Sequence, residues 1–470
     1  MLTLPFDLDA SSPLPLYEQL YRALAAQVRG GGLAAGQKLP GKRSLAAELG
    51  VSVNTVDAAY QLLVAEGWLE ARPKSGFFVL PYTGPRGAAP AAPPPPAPAP
   101  APAAPRFDCS TSGVDTALFP FRTWGRIQKE LLYSSPGLLA HGHPQGDEAL
   151  RAAIAGYLQA YRGVRCGPEQ VVVGAGAEYL LGLLARLLAG GRAAAENPGY
   201  RRPWAVLQNN GLPCTPVDID EGGLDVAALQ ASGATLAYVT PSHQFPTGVT
   251  MPVGRRARLL QWAAAAPGRY ILEDDYDSEF RFDTRPLPSL QGMAGPDGPV
   301  VYLSTFSKSL APSIRIAYMV LPHHLLAGYR ALYASYASTV SRFEQQTLCR
   351  FIQGGYFTRH LARMRKEYKA RAAALEARLE AVFGPGRLRL LGRQAGLHML
   401  AQLPGGPGEA QMTARARAQG VRLAGLSSYY LARAERCPPN TVVLGYGALD
   451  AAQLGPLAQA LGRAWGAREV

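Results

Sequence analysis

Lys308 lies in Ser304-Thr-Phe-Ser-Lys-Ser-Leu-Ala-Pro-Ser-Ile-Arg315, between an apolar run from Val300 to Leu303 and another from Ile316 to Leu321. That spacing places the lysine just past the end of a buried strand, among hydroxyls. A lysine held at a strand end can condense with an aldehyde cofactor. Thr305, Ser307 and Arg315 are suited to a phosphate, because hydroxyls donate to its oxygens and a guanidinium fork matches them. Upstream, Tyr270-Ile-Leu-Glu-Asp-Asp-Tyr-Asp277 ends a second apolar run in acids and a tyrosine. A lysine for the aldehyde, an acid for the pyridinium nitrogen and a cradle for the phosphate form the set that pyridoxal 5'-phosphate requires. Gly174-Ala-Gly-Ala-Glu178 follows Val171-Val-Val173 and opens a helix. Its backbone N–H groups and helix dipole, around Gly176 and Ala177, add a second phosphate-holding element.

The elements that must position these groups alternate along the chain. Val171 to Val173, Leu236 to Thr240, Ile271-Leu272, Val300 to Leu303 and Ile316 to Leu321 read as strands separated by helical stretches. Alternation of this kind predicts an α/β domain with a mostly parallel sheet and helices on both faces. In such domains ligands gather at the carboxyl ends of the strands, where the chemical residues fall here.

Composition bounds the rest. With 470 residues the chain exceeds one ordinary domain, and 48% hydrophobic with 17% charged residues fits a globular protein. No apolar run is long enough to span a bilayer, and no signal-peptide pattern opens the chain. Five dispersed cysteines, Cys109, Cys166, Cys214, Cys349 and Cys437, lack metal-ligand spacing. An odd, scattered set fits reduced thiols in the cytoplasm, and no metal site is expected. The net charge of +13 and pI near 9.6 invite a nucleic-acid partner. Yet the first 80 residues carry seven Lys/Arg and seven Asp/Glu, so the basic excess lies downstream, where it solvates Ala- and Arg-rich helices.

A stretch of almost pure Pro and Ala, residues 82–105, divides the chain. It includes four consecutive prolines, Pro93 to Pro96, and reads as a semi-rigid polyproline II spacer. Before it, Leu16, Leu20, Leu24 and Val28 mark one helix face, stopped by Gly30-Gly-Gly32. A short second helix ends at Gly50, and Ser52 caps a third helix through Leu63. Trp68-Leu-Glu70 and Gly76-Phe-Phe-Val79 read as strands around a turn at Pro73-Lys-Ser-Gly76. Three helices and a hairpin predict a winged helix-turn-helix, whose third helix enters the major groove of double-stranded DNA. Ser52, Asn54 and Thr55 open that helix, Lys42 and Arg43 open the second, and Lys74 flanks the wing. These are the candidate DNA-binding residues.

Leu16-Tyr-Glu-Gln-Leu-Tyr21, Leu39-Pro-Gly-Lys-Arg43, Leu45-Ala-Ala-Glu-Leu-Gly-Val-Ser52, Asn54-Thr-Val56 and Ser75-Gly-Phe-Phe-Val79 closely resemble the GntR-type winged helix. The region around Lys308 resembles the fold-type I aminotransferases, and most closely the MocR subfamily of bacterial regulators. These proteins fuse the two domains in this order. The resemblance implies a DNA-binding domain over 1–81, a linker over 82–105 and an aminotransferase-like effector domain over 106–470. It implies a transcription regulator that senses pyridoxal phosphate, an amine or an amino acid. It also implies a head-to-tail homodimer on a DNA operator. An active aminotransferase with an accessory DNA-binding domain is the alternative.

By that resemblance Lys308 would form the internal aldimine and Asp274 would pair with the pyridine nitrogen. Asp275 is the rival for the acid role. Tyr276 would bond the ring hydroxyl, Tyr200 would stack on the ring, and His243, in the signature loop Thr240 to Gly248, would lie near the cofactor. His141 would reach the partner subunit's phosphate. Several positions depart from the family pattern: Val53 replaces an arginine, Ala177 a threonine, Phe245 an asparagine and His141 a tyrosine. The arginine that clamps a substrate carboxylate is expected near Asn440, where none stands. Arg202 is the remaining candidate for an effector carboxylate.

Overall fold

The computed structural model describes residues 8–84, 104–282 and 287–467. It separates into two compact units, Met1–Pro102 and Ala103–Val470. Most of the expected spacer, including Pro93 to Pro96, lies outside the described residues.

The first unit contains α1 (Leu16–Gly30), α2 (Lys42–Leu49), α3 (Val53–Ala65), β1 (Leu69–Arg72) and β2 (Gly76–Val79). Gly31 closes α1 with φ +80°, a left-handed conformation that glycine adopts without steric cost. Ser52 caps α3 by accepting the Thr55 N–H at 3.1 Å. The hairpin pairs Leu69 with Val79 and Arg72 with Gly76, so β1 starts and ends later than Trp68 to Glu70 predicted. Leu20, Leu24, Leu45, Val56, Tyr60 and Leu63 fill the core. The Tyr60 hydroxyl donates to the Pro40 carbonyl at 2.9 Å, which ties the start of α2 to α3.

The second unit is built on an eight-stranded sheet. In spatial order its strands are 171–174, 317–320, 300–305, 270–275, 236–239, 193–197, 214–220 and 223–224. The strand Ala317–Val320 runs antiparallel to both neighbours, and the short edge strand Gly223–Leu224 is also antiparallel. The remaining pairings are parallel, as the alternating pattern predicts. Three strands of this sheet escaped the sequence reading, Ala193–Asn197, Cys214–Asp220 and Gly223–Leu224. The first reads Ala-Ala-Ala-Glu-Asn and has no β-branched signal, but it is buried on both faces within the sheet.

A smaller four-stranded antiparallel sheet forms from Arg389–Leu391, His398–Gln402, Thr441–Gly445 and Ala424–Gly425. It shares a core with the helices Tyr356–Phe383 and Leu454–Trp465. Phe107–Asp108 pairs in parallel with Val421–Arg422, and so brings the following residues, Ser110 to Ser112, to the large sheet's carboxyl edge.

Candidate functional site

A cavity of about 450 Å3 opens at that edge, in the second unit. The carboxyl ends of three central strands supply residues that line it. Asp274 comes from Tyr270–Asp275, Thr305 from Val300–Thr305, and Thr240 follows Leu236–Val239. Lys308 sits on the turn after Thr305, and its Nζ donates to the carbonyl of Thr111. Burial pushes the Lys308 ammonium down to about 8, against an opposing pull from Asp277. A neutral amine, which is the nucleophilic form, is thus accessible near physiological pH.

Side-chain alternation along a strand separates the two adjacent acids. Asp274 lines the cavity and accepts from the Tyr238 hydroxyl at 2.5 Å. Burial pushes its carboxyl up to about 7, partly offset by that hydrogen bond. Asp275 instead meets Arg162 at 2.7 Å and the Tyr302 hydroxyl at 2.5 Å, in the interior. Tyr276 lines the cavity and donates to the His243 carbonyl at 3.0 Å. His243 stands behind it and does not line the cavity; its Nδ1 lies 2.9 Å from Asp277. His398 joins them, bringing metal-capable atoms of the three buried side chains within 4.8 Å of one another. A Cβ at Gly396 would collide with the His243 ring, so this cluster is tightly packed.

The other end of the cavity is a cradle for an anion. Gly176, at φ +96°, precedes the helix Ala177–Leu187, and a Cβ there would collide with the Arg315 guanidinium. Arg315 is itself held at φ +55°, a conformation rare for non-glycine residues and worth a functional reading. The Thr305 and Ser307 hydroxyls lie 2.9 Å apart. Arg315 donates to Glu178 at 2.9 Å, and Arg202 donates to the same carboxylate at 2.9 Å. Tyr200 lines the wall, with its ring 5.7 Å from the Arg202 guanidinium and edge-on to Phe245.

These residues fit pyridoxal 5'-phosphate: a desolvated lysine, a buried carboxyl, and a guanidinium with hydroxyls beside a helix N-terminus face one cavity. Two family descriptions match the chain. "Bacterial regulatory proteins, gntR family" covers residues 16–79, and "Aminotransferase class I and II" covers residues 114–442. The chain is 37% identical to the uncharacterized HTH-type transcriptional regulator YhdI of Bacillus subtilis (strain 168), over 98% of both chains. It is 34% identical to the probable rhizopine catabolism regulatory protein MocR of Rhizobium meliloti, over 94% of this chain and 92% of that one. The chain belongs to the MocR-type regulators of the GntR family. The solved alpha-aminoadipate aminotransferase LysN of Thermus thermophilus, complexed with N-(5'-phosphopyridoxyl)-L-leucine, matches with a TM-score of 0.65. It is 25% identical and covers 76% of this chain and 91% of its own.

As a MocR-type regulator the chain joins a winged helix to an aminotransferase-fold domain. On the winged helix, Arg43, Ser52, Asn54 and Lys74 are exposed, and Thr55 is half-buried. Val53 stands 44% exposed at the start of α3, leaving an apolar side chain where the family places an arginine. Lys42 is committed to an ion pair with Asp57 and lies 5.2 Å from the Phe77 ring centre, so it is less available to phosphate than Arg43. Among the described residues, no helix is long and apolar enough to cross a membrane.

Other sequence expectations fall outside the cavity. His141, expected to meet the partner subunit's phosphate, is exposed and lines no part of its own chain's cavity, as a contact made across subunits requires. Asn440 sits in a left-handed turn before the strand Thr441–Gly445, and the residue of that segment that reaches the cavity is Val443. Sequence reading missed Thr111, Tyr238, Arg422 and Tyr429, all lining residues. Tyr238 was detectable, because it shares a strand face with Thr240 two residues on. Arg422 carries no such local signal: it reaches the cavity through its pairing with Asp108, 314 positions away.

Proposed function

We propose that this regulator binds pyridoxal 5'-phosphate in the cavity of its second unit, and that occupancy by cofactor, or by cofactor and an amine, changes operator binding by the winged helix. The observation that carries this reading is the desolvated Lys308 amine on the wall it shares with Asp274, with the Arg315 cradle at the other end. When bound, pyridoxal phosphate supplies an aldehyde for the lysine and a protonated pyridine ring as electron sink.

In this reading, Lys308 would hold the aldehyde, and its low proton affinity keeps the amine available. Asp274 would hold a proton at the ring nitrogen, with Tyr238 fixing the orientation of its carboxyl group. Tyr276 and Tyr200 would help hold the ring. Arg315, Thr305, Ser307 and the backbone at Gly176 and Ala177 would hold the phosphate. Arg202 is placed to meet an effector carboxylate. The protein acts in the cytoplasm as a head-to-tail homodimer on its operator. A ligand changes operator binding only by favouring one dimer conformation over another.

The test is an absorption titration of full-length protein with pyridoxal phosphate, repeated with Lys308→Ala, alongside operator binding. The wild type is expected to develop the band of covalently held cofactor, and Lys308→Ala to lack it. Identical spectra for the two proteins would overturn the assignment. One observation favours a second reading, an active aminotransferase. Arg422, on the strand Val421–Arg422, brings a guanidinium to the cavity wall, where it could clamp a substrate carboxylate. It is also paired to Asp108 at 2.9 Å. Sustained turnover of an amino acid with a keto acid, lost in Arg422→Ala, would establish that reading.

A further inference from the structure

Glu178 puts an anion where the cradle should be empty for one. Its carboxylate accepts from Arg315 and from Arg202, each at 2.9 Å, one on each oxygen. Burial pushes this carboxyl up, but its own backbone N–H and the two arginines outweigh burial and hold it below the usual carboxylate range. It is therefore a fixed negative charge at neutral pH, in the first turn of the helix that begins at Ala177. A carboxylate has no proton to donate, so it adds nothing to a phosphate's hydrogen bonding.

We propose that Glu178 is a built-in competitor for the anion cradle, which weakens the hold of this site on phosphate monoesters and keeps its occupancy reversible. The inference rests on the cofactor reading above and deepens it. A phosphate dianion entering the cradle must take the Arg315 fork from Glu178 or share it. Either way it meets like charge at close range, in surroundings that screen charge less than water does. Ala177 sharpens the effect, since it has no hydroxyl with which to offset that repulsion. Glu178 also bridges the phosphate arginine to Arg202. When phosphate displaces the carboxylate from Arg315, the carboxylate remains free to keep Arg202. A carboxylate effector must then compete with Glu178 in turn.

The experiment measures dissociation constants of pyridoxal 5'-phosphate, pyridoxal and inorganic phosphate for full-length protein, in the wild type, Glu178→Gln and Glu178→Ala. A Lys308→Ala background isolates non-covalent binding. Glu178→Gln removes the charge and adds a donor, and should tighten both phosphate ligands about tenfold. Glu178→Ala removes the charge together with the whole carboxyl group and adds no donor, and should tighten them less. Pyridoxal, which has no phosphate, should be unaffected. Equal affinities in wild type and Glu178→Gln would overturn the proposal, as would equal tightening of pyridoxal. If inorganic phosphate tightens as expected while pyridoxal phosphate never binds, the inference stands and the cofactor reading falls. If no phosphate ligand binds any variant, both fall.

Discussion

Arg43, Ser52, Asn54 and Lys74 of the winged helix stand in solvent, while Asp274 and Lys308 of the second unit face an interior cavity. In the cavity, burial moves Lys308 down to about 8 and Asp274 up to about 7, so their protonation depends on the tertiary structure around them. The exposed groups can act through position alone. Such groups cost the fold little, whereas a buried charge is tolerated only when partnered. The winged helix can therefore change its reading surface one residue at a time. The cavity must keep whole networks intact.

The adjacent acids test this contrast most severely. Asp275→Asn breaks a buried pair with Arg162 and should cost the second unit about 3 kcal/mol or more in urea denaturation. Asp274→Asn should leave stability unchanged or raise it at pH 7, because it removes a carboxyl whose charged form is disfavoured by burial. The folded carboxyl binds its proton up to about 7, well above the ordinary value of 3.8. Stability from this group is thus highest at acid pH and falls as pH rises between those values. Cofactor-free wild type minus Asp274→Asn should show that decline; a flat difference would place Asp274 in a wetter site than the fold suggests.

Lys308 provides the next largest effect. Only its neutral form attacks an aldehyde, so the rate at which the covalent cofactor band appears should rise about tenfold per pH unit below 8 and level off above it. A rise continuing to pH 10 would mean that the lysine is solvated like a surface residue. On the DNA side, Arg43→Ala should lower the slope of log affinity against log salt by about one. Lys42→Ala should lower it less, since Asp57 already neutralises Lys42. Equal slopes would show that the ion pair opens on DNA. The smallest effect is Ser52→Ala, which removes the cap on Thr55 and should cost the winged helix about 1 kcal/mol by thermal denaturation.

Much of the scaffold was legible from local pattern. Leu20, Leu24 and Val28 follow helical spacing, and their burial matches it. The turn glycines and the Ser52 cap were equally readable. The strand Ala193–Asn197 was not, because three alanines look the same in helix and strand until neighbours flank them. Around Lys308, sequence named the lysine, hydroxyls and arginine that line the cavity but left Asp274 and Asp275 as rivals. The fold points one into the cavity and gives the other to Arg162. His243 was expected near the cofactor, and it lies one side chain back from the cavity, behind Tyr276.

By itself the sequence determined the order of the two domains, the helices and hairpin of the winged helix, and the lysine, acids and arginine of the cavity. Those features depend on periodicity, turn chemistry and residue type within short windows. Only the tertiary structure decided which acid faces the cavity, that Glu178 bridges Arg315 and Arg202, and that Arg422 and Thr111 join the same wall. These depend on contacts between segments as many as 314 positions apart, and on burial that changes a group's charge without changing its identity.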